Sequence, residues 1–304
     1  MIVVDNGSED ATRELLRASP VPSQVHLNAD NRGFAAGQNQ AIGKSSGDFV
    51  LVLNPDTLLT PSFVREALMG FSTGPRVGMV APKLVRATDA FEIPRREAQI
   101  DSAGVFLTAS LRHFDRGTGE RDVGQYDCME RVFGPSGAAA FYSRALVNDV
   151  KVGGEFFDES FFAYREDADL AWRARLLGWE CVYVPQALAY HLRRARPELG
   201  RHFDADVNRH SVKNRFLMRI KNVTPGLYAR VLVPATVRDL MVIAGVATFE
   251  RESLVGLVFV VRNLHRVLAA RREIQSRRRP AAVPLWRWVG RRSIALGPLS
   301  PKPP

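Results

Sequence analysis

The stretch GDFVLVLNPDT, residues 47–57, contains an apolar run that stops abruptly at Asn54 and Pro55. A short apolar run bounded by turn-forming residues predicts a buried β-strand. IVV at 2–4 and VHL at 25–27 predict two further strands, and helical patterns follow the three runs at 10–18, from near 35, and at 61–71. Strands that alternate with helices predict an α/β fold, with a mostly parallel sheet flanked by helices.

Two acidic loops follow predicted strands. DNGS begins at Asp5 and NPDT begins at Asn54, each directly after an apolar run. Ligands of open α/β sheets bind beyond the carboxyl ends of the strands. We therefore expect both loops to lie on one rim and to form part of a binding site.

The second part of the predicted domain contains a middle segment, a helix and two strands. Loops and short strands beside the site are predicted for roughly 84–135. A helix is predicted from Glu166, with Gly178 in the C-cap position. CVYVP at 181–185 and the residues at 187–191 predict two strands.

Charge divides the chain into two halves. Residues 1–190 contain 19 Lys and Arg against 25 Asp and Glu, whereas residues 191–304 contain 23 against 7, so the net charges are −6 and +16. Such asymmetry indicates an anionic partner for the second half, either nucleic acid or the cytoplasmic leaflet of a membrane. No nucleic-acid-binding motif accompanies the charge, so we expect no nucleic acid partner.

The basic half also contains two apolar segments, LMVIAGVATF at 240–249 and LVGLVFVV at 254–261. Residues 250–252 separate them, and arginines and the tryptophans Trp286 and Trp288 follow. This combination favours two helices on an anionic membrane surface. The alternative is a helical appendage with a solvated basic face.

Cysteine content and hydropathy favour a cytoplasmic protein. Cys128 and Cys181 lie 53 positions apart and form neither a disulfide framework nor a zinc motif, so a reducing compartment is expected. No uninterrupted apolar run reaches the ~18 to 20 residues of a membrane span. We expect a peripheral position at the inner face of the plasma membrane.

Six segments carry a resemblance to a known family: VVDNGS, DNRGFAAGQNQAI, GDFVLVLNPDT, SGAAAFYSRAL, FDESFFAYREDADLAWRARLLGW and YVPQALAYH. Together they resemble the inverting family 2 glycosyltransferases of the GT-A (Rossmann-like) type, and among these the bacterial rhamnosyltransferase-like members. The resemblance covers about residues 1–220 and implies a GT-A domain at 1–222. The composition of the remaining chain predicts a helical, basic, membrane-associated region at 223–304.

The resemblance implies an activity and a donor site. The expected reaction moves a sugar from dTDP-rhamnose or a UDP-sugar to a cell-envelope or lipid-linked glycan, with inversion. Asp5 would accept a hydrogen bond from the pyrimidine ring, although DNGSED is equally good turn and helix-cap chemistry. The other implied donor-binding residues are Asn6, Asn31, Gly33, Gly37, Asn39, Asn54 and Asp56, with a simple loop-to-helix junction as the alternative for the glycine-rich part.

NPD at 54–56 stands where the family carries a DXD-like motif that binds the metal on the diphosphate. The first position is the neutral Asn54, so Asp56 is left as the strong oxygen ligand for Mg²⁺ or Mn²⁺. The resemblance suggests His191 as a second metal ligand. A turn that merely ends a strand is the alternative for NPD, and a lone histidine is more often a surface or core residue.

Glu166 and Asp167 stand where a helix begins, after the aromatic segment FDESFFAY. Aromatic surroundings desolvate a carboxylate and raise its proton affinity, as a general base requires. By analogy with the family, Asp167 is the expected catalytic base, with Glu166 next. The alternative is that the carboxylates only cap the helix and complement its dipole.

Family members normally begin one strand and one helix before the point that corresponds to Met1. We therefore expect the true start to lie upstream of Met1, with a degenerate homologue that binds nucleotide sugar without turnover as the alternative. An NAD-type oxidoreductase is the weakest reading, because no GxGxxG follows the first strand.

Overall fold

The computed structural model describes residues 1–21, 23–88, 98–193, 205–281 and 283–296. Its helices are α1 Thr12–Ala18, α2 Gly33–Lys44, α3 Phe63–Phe71, α4 Arg144–Asp149, α5 Glu166–Leu176, α6 Ala205–Asn222, α7 Pro225–Thr248, α8 Leu254–Arg262 and α9 Leu264–Ser276. Its strands are β1 Ile2–Asn6, β2 Gln24–Asn28, β3 Phe49–Leu53, β4 Thr57–Leu59, β5 Val77–Arg86, β6 Ile100–Ser102, β7 Val105–Leu107, β8 His113–Asp115, β9 Glu130–Val132, β10 Ala139–Ser143, β11 Glu180–His191 and β12 Ile294–Ala295. The three predicted strand and helix pairs of the first part are confirmed.

The main sheet is mixed rather than mostly parallel. Its strand order is β12-β9-β11-β5-β10-β3, with β4 added to β11 and β6 to β5. Among the described strands of this sheet, only β5 and β11 run parallel. Strands β1 and β2 form a separate parallel pair, and β7 and β8 form a separate antiparallel pair. Within the described residues, β5 is followed by short strands and loops instead of a helical crossover, so β10 returns beside β5 in the opposite direction. The α/β class is confirmed.

The two strands predicted at 181–185 and 187–191 are one strand with a bulge. β11 pairs with β5 along its length, and the pairing register shifts between Val184 and Leu188. Pro185 lies in this shift, where its missing N–H removes no ladder hydrogen bond. The predicted break is therefore an irregularity within a single strand that ends at His191.

The hydrophobic core continues from the sheet into the basic half of the chain. Trp172 of α5, Phe133 after β9 and Trp288 near the C-terminus belong to one buried cluster, with ring centroids 6.3 Å apart in both pairs that include Phe133. Leu227 and Ile274 belong to the same cluster. The predicted boundary between 222 and 223 stays a prediction, and residues 297–304 of the predicted C-terminal region lie outside the described residues, as do 89–97 of the middle segment.

Helix α7 is long and apolar enough to cross a membrane, judged by length and composition only. Its best window of 18 residues has a mean hydropathy of 1.6 and is 17% buried. Residues 251–262 and 264–276 meet the same test only as a pair bent by 60°. The sequence has no uninterrupted apolar run of this length, because Arg238 and Asp239 interrupt it. The helix nevertheless continues through both residues, and the Asp239 carboxylate pairs with Arg215 and Arg219 of α6.

Candidate active site

Asp5 lies at the end of β1 and is buried. Its carboxylate accepts hydrogen bonds from the backbone N–H of Ser8, at 3.3 Å, and from Nε of Arg13, at 2.8 Å. The bonds from Ser8 have the largest influence and, with those from Arg13, hold the pKa of Asp5 below its ordinary value despite burial. The structure therefore contains the turn that the sequence offered as the alternative to nucleotide binding.

The start of α2 is fastened to β1 by asparagines. Asn6 donates through Nδ2 to the Gly33 carbonyl, at 2.8 Å, and accepts from Nδ2 of Asn28, also at 2.8 Å. Asn31 Oδ1 accepts from the Gly33 N–H at 2.9 Å. These bonds bring Asn6, Asn31 and Gly33, three of the predicted donor-binding residues, together at the carboxyl end of β1.

Two predicted glycines allow close approach of other parts of the chain. Gly33 has φ of +85°, and a Cβ there would lie 2.6 Å from the ring of Phe162. A Cβ at Gly37 would lie 3.3 Å from Nδ2 of Asn6. In this structure both glycines make room for protein side chains, as at a loop-to-helix junction, and their role in donor binding stays a prediction.

Asn39 fastens α2 to the segment that precedes α5. Its Nδ2 donates to the Phe157 carbonyl at 2.8 Å, and its Oδ1 accepts from the Phe157 N–H at 2.9 Å. Nδ2 also lies 3.1 Å from Oε1 of Glu159. Both polar atoms of this predicted donor-binding residue therefore have protein partners.

Asp56 and His191 meet where β3 and β11 end. Asp56 Oδ1 lies 3.3 Å from Nε2 of His191, and Nδ1 of His191 lies 2.7 Å from Oδ2 of Asp101. Burial lowers the pKa of His191, but its hydrogen bonds to Asp101 and Asp56 raise it more, to about 9. The two residues predicted as metal ligands therefore lie beside each other, and their role as ligands stays a prediction.

Asp101 and Arg193 extend this group, and sequence reasoning missed both. Arg193 lies 3.1 Å from Oδ1 of Asp101 and 2.7 Å from Oδ2 of Asp115. Asp101 is buried between the imidazole and the guanidinium. No local pattern marks Asp101, because its partners follow it by about 90 residues.

The metal prediction has limited support from the side chains. The described residues contain no group of three or more His, Cys, Asp or Glu side chains that could hold a metal ion. The Asp56 carboxylate and the His191 imidazole lie side by side and could supply one oxygen and one nitrogen ligand. Such a pair fits an ion that takes its other ligands from a diphosphate and water. His191 would have to lose its proton to ligate an ion.

Asp167 lies in the first turn of α5, next to the NPD loop. Its Oδ2 accepts from the Gly137 N–H at 2.9 Å, and its Oδ1 accepts from the Ala168 N–H at 2.7 Å. The neighbouring Ala138 carbonyl accepts from the Asn54 N–H at 2.9 Å. The two residues before β10 therefore connect the predicted base with the predicted metal-binding loop.

The adjacent acids Glu166 and Asp167 differ in their surroundings, in their exposure and in the causes that raise their pKa. Burial raises the pKa of Asp167, and the charge of Asp115 adds to the effect, while the bonds from Gly137 and Ala168 oppose it. Burial and the charge of Asp167 raise the pKa of Glu166 well above its ordinary range. Glu166 is buried, and its Oε2 has no hydrogen-bond partner among the described residues. Asp167 is partly exposed and is therefore the acid better placed to act as a base.

The turn that presents Glu166 and Asp167 has an uncommon backbone. Phe162, Tyr164 and Arg165 have φ of 65°, 70° and 71°, values that cost side-chain-bearing residues about 1–3 kcal/mol each. Helix α6 holds this turn: Asn214 donates through Nδ2 to the carbonyls of Phe161, Ala163 and Tyr164 at 3.0, 2.8 and 2.7 Å. Sequence reasoning missed Asn214, which lies about 50 residues after the turn it contacts.

Phe162 also connects the turn to the donor-binding rim. Its carbonyl accepts from the Ala35 N–H at 3.1 Å, and its ring stacks on His210 of α6 with centroids 4.8 Å apart. The N-terminal end of α2, the turn before α5 and helix α6 thus form one packed unit. Asp167 is thus placed to take a proton, and Asp56 with His191 supplies side-chain types that suit a divalent cation.

Comparisons with known proteins relate this chain to glycosyltransferases. Residues 1–150 match the profile described as glycosyl transferase family 2. The chain is 28% identical over 215 residues to the N-acetylglucosaminyl-diphospho-decaprenol L-rhamnosyltransferase of Mycobacterium tuberculosis. The aligned part covers 63% of this chain and 66% of that protein, just under two thirds of that protein's length. The chain is also 27% identical over 196 residues to a probable glucomannan 4-beta-mannosyltransferase 6 of Oryza sativa subsp. japonica. The aligned part covers 60% of this chain and 30% of that protein.

A solved structure shares the fold. The crystal structure of GalNAc-T7 with UDP, GalNAc and Mn²⁺ matches 72% of this chain and 41% of its own, with a TM-score of 0.52 and 12% sequence identity. This likeness confirms the predicted GT-A-like fold. The profile match over residues 1–150 and the similarity to a rhamnosyltransferase confirm the predicted family.

Proposed function

We propose that this chain, whose residues 1–150 are a glycosyl transferase family 2 domain, moves a sugar from a nucleotide-diphosphate donor to a glycan acceptor. The proposed donor is dTDP-rhamnose or a UDP-sugar, and the proposed acceptor is a cell-envelope or lipid-linked glycan. The similarity to a rhamnosyltransferase named for a diphospho-decaprenol acceptor supports this choice.

The position of Asp167 carries the proposal. Its partly exposed carboxylate stands beside the strand end that contacts the NPD loop, and its pKa is raised by burial and by Asp115. In the proposed step Asp167 takes the proton of the acceptor hydroxyl while that oxygen attacks the anomeric carbon. The bond from this carbon to the diphosphate oxygen breaks on the opposite face, so the configuration inverts.

The negative charge of the diphosphate has to be neutralised as the diphosphate leaves the sugar. We assign Asp56, with His191 as its neighbour, to hold Mg²⁺ or Mn²⁺, which would supply positive charge to the diphosphate. The hydrogen bond from His191 to Asp101 fixes the orientation of the imidazole that faces Asp56.

We assign the donor nucleotide to the end of β1 and the start of α2, together with the NPD loop that follows β3. Asp5, Asn6, Asn31, Gly33 and Gly37 lie along the first two of these elements, and Asn54 begins the third. Asn39 is assigned a supporting role, because its amide already bonds the backbone of Phe157.

The proposed location is cytoplasmic and peripheral, at the inner face of the plasma membrane. The exposed apolar side chains of α7 support contact with a lipid surface, among them Val233, Leu240 and Met241. A surface position would place the site next to a lipid-linked acceptor.

The purified chain tests the proposal with dTDP-rhamnose and UDP-sugars, Mn²⁺ and a polyprenyl-diphosphate-linked sugar. We expect transfer, and nuclear magnetic resonance of the product should show the anomeric configuration opposite to that of the donor. Donor binding without transfer to any acceptor in the panel would instead support the second candidate, a non-catalytic binder of nucleotide sugars.

A further inference from the structure

Two adjoining clefts, of about 730 and 440 Å³, lie around the N-terminal end of α7 and share Arg278. Six arginines line them, namely Arg175, Arg230, Arg271, Arg272, Arg278 and Arg279. No Asp or Glu is among the residues that line either cleft. Neither cleft is part of the candidate active site, and a concave surface with this charge is suited to an anion.

Three of the six arginines are occupied within the protein. Arg271 donates to the carbonyls of Ile220 and Val223, Arg175 donates to the carbonyls of Val132 and Phe133, and Arg279 pairs with Asp149 at 2.7 Å. Arg230, Arg272 and Arg278 have no hydrogen-bond acceptor among the described residues. The guanidinium of Arg230 lies 5.2 Å from the ring centroid of Trp286, which is 47% exposed.

We propose that these two clefts, named here the arginine cleft, bind the phosphate group of an anionic phospholipid. This inference rests on the membrane association in the proposed function and adds a specific headgroup contact to it. Guanidinium groups match phosphate oxygens in paired hydrogen bonds, and three of them are available here without the loss of a protein partner.

The apolar surface beside the cleft favours a lipid over a soluble phosphate. Arg230 lies in α7, and the exposed apolar face of that helix begins one turn later at Val233, which is 71% exposed, and continues through Val237 and Leu240. When such a face lies at the boundary of headgroups and acyl chains, basic side chains at the end of the helix lie at the level of the phosphates. Tryptophan is also favoured at this level, and Trp286 lines the cleft.

Vesicle binding of the full chain tests the inference. Arg230, Arg272 and Arg278 are replaced together by alanine, and the matched control replaces Arg251, Arg262 and Arg266, three exposed arginines outside the cleft. Sedimentation is measured with phosphatidylcholine vesicles, with and without phosphatidylglycerol. Nearby arginines contribute roughly fivefold each to binding of an anionic surface. We expect the cleft variant to lose at least tenfold more affinity for the anionic vesicles than the control.

Three outcomes would overturn the inference. Equal losses in both triple variants would mean that only the net charge matters. Calorimetric binding of inorganic pyrophosphate that the cleft variant abolishes, with unchanged vesicle affinity, would assign the cleft to a soluble phosphate. If the wild-type protein binds none of the vesicles, both this inference and the proposed membrane association are wrong. If it binds vesicles but the binding does not depend on the cleft, only this inference is wrong. Thermal melting and circular dichroism check that each variant is folded.

Discussion

The side-chain amide of Asn214 donates a hydrogen bond of 2.7 Å to the carbonyl of Tyr164, two residues before Glu166. Asn214 is completely buried, and the same amide also contacts the carbonyls of Phe161 and Ala163. A residue of α6 therefore holds the turn from which the proposed base projects. We therefore expect the orientation of Asp167 to depend on helix α6.

Replacement of Asn214 by leucine should slow transfer by about tenfold or more while donor affinity changes little. The three carbonyls lose their donor, and buried groups left without a partner cost about 1–3 kcal/mol each, so the turn should relax and the melting temperature should fall. Asn208→Ala, on the same helix, is the control. A lowered melting temperature with an unchanged kcat would show that Asn214 stabilises the fold without positioning Asp167.

Asp167→Asn should leave donor affinity almost intact and lower the transfer rate by the ~10²- to 10⁴-fold typical of a lost general base. The acidic limb of the wild-type pH profile should lie above the range of an ordinary aspartate, because the pKa of Asp167 is raised, and it should disappear in the variant. If Asp167 only caps the helix, asparagine replaces it well and the rate stays the same. That result would shift the role to Glu166, which Glu166→Gln would then test.

Asp56→Ala should remove the part of donor binding that depends on Mn²⁺. The reason is that a carboxylate that binds the ion lowers the repulsion between the protein and the diphosphate. Calorimetry with UDP and dTDP, with and without Mn²⁺, measures this part of donor binding. Asp48→Ala is the control, since Asp48 is exposed and lies next to the opposite end of β3. Unchanged metal dependence in Asp56→Ala would exclude Asp56 as the ligand.

The stabilisation contributed by His191 should decrease as the pH rises. Its pKa is raised from 6.5 to about 9 in the folded protein, so its contribution is complete below pH 6.5 and is lost as the pH passes through 9. Melting temperatures of the wild type and of His191→Gln, measured with a chelator present, should differ most below pH 6.5 and converge above pH 9. A constant difference across this range would contradict the protonated state of His191.

Leu240→Glu with Met241→Glu should weaken sedimentation with anionic vesicles without loss of the fold. Both side chains are exposed on α7, so the charges disturb no internal packing. Leu15→Glu with Met69→Glu is the matched control, because it adds the same two charges at side chains outside α7 that are 69% and 60% exposed. These substitutions are preferable to removal of residues 230–304, because Trp288 and Ile274 of that region belong to the hydrophobic core. Vesicle binding equal to that of the control would contradict a role of α7 in it.

The sequence predicted the elements that depend on neighbouring residues. Apolar runs at 2–4, 25–27 and 49–54 predicted β1, β2 and β3, and the spacing of apolar residues predicted α5 with Gly178 after its end. Turn-forming residues predicted where the strands end, and so placed Asp5 and Asp56 at strand ends. Periodicity and turn chemistry are local properties, so they can be read before the chain is folded.

The tertiary structure decided which distant residues meet. Asp101 reaches His191, Gly137 reaches Asp167, and Asn214 reaches the turn before α5, over separations of 90, 30 and about 50 residues. It also decided that the sheet is mixed and that α7 is one continuous helix. These features follow from which packed arrangement buries the apolar faces and satisfies the buried polar groups together, and that condition belongs to the folded chain rather than to any single segment.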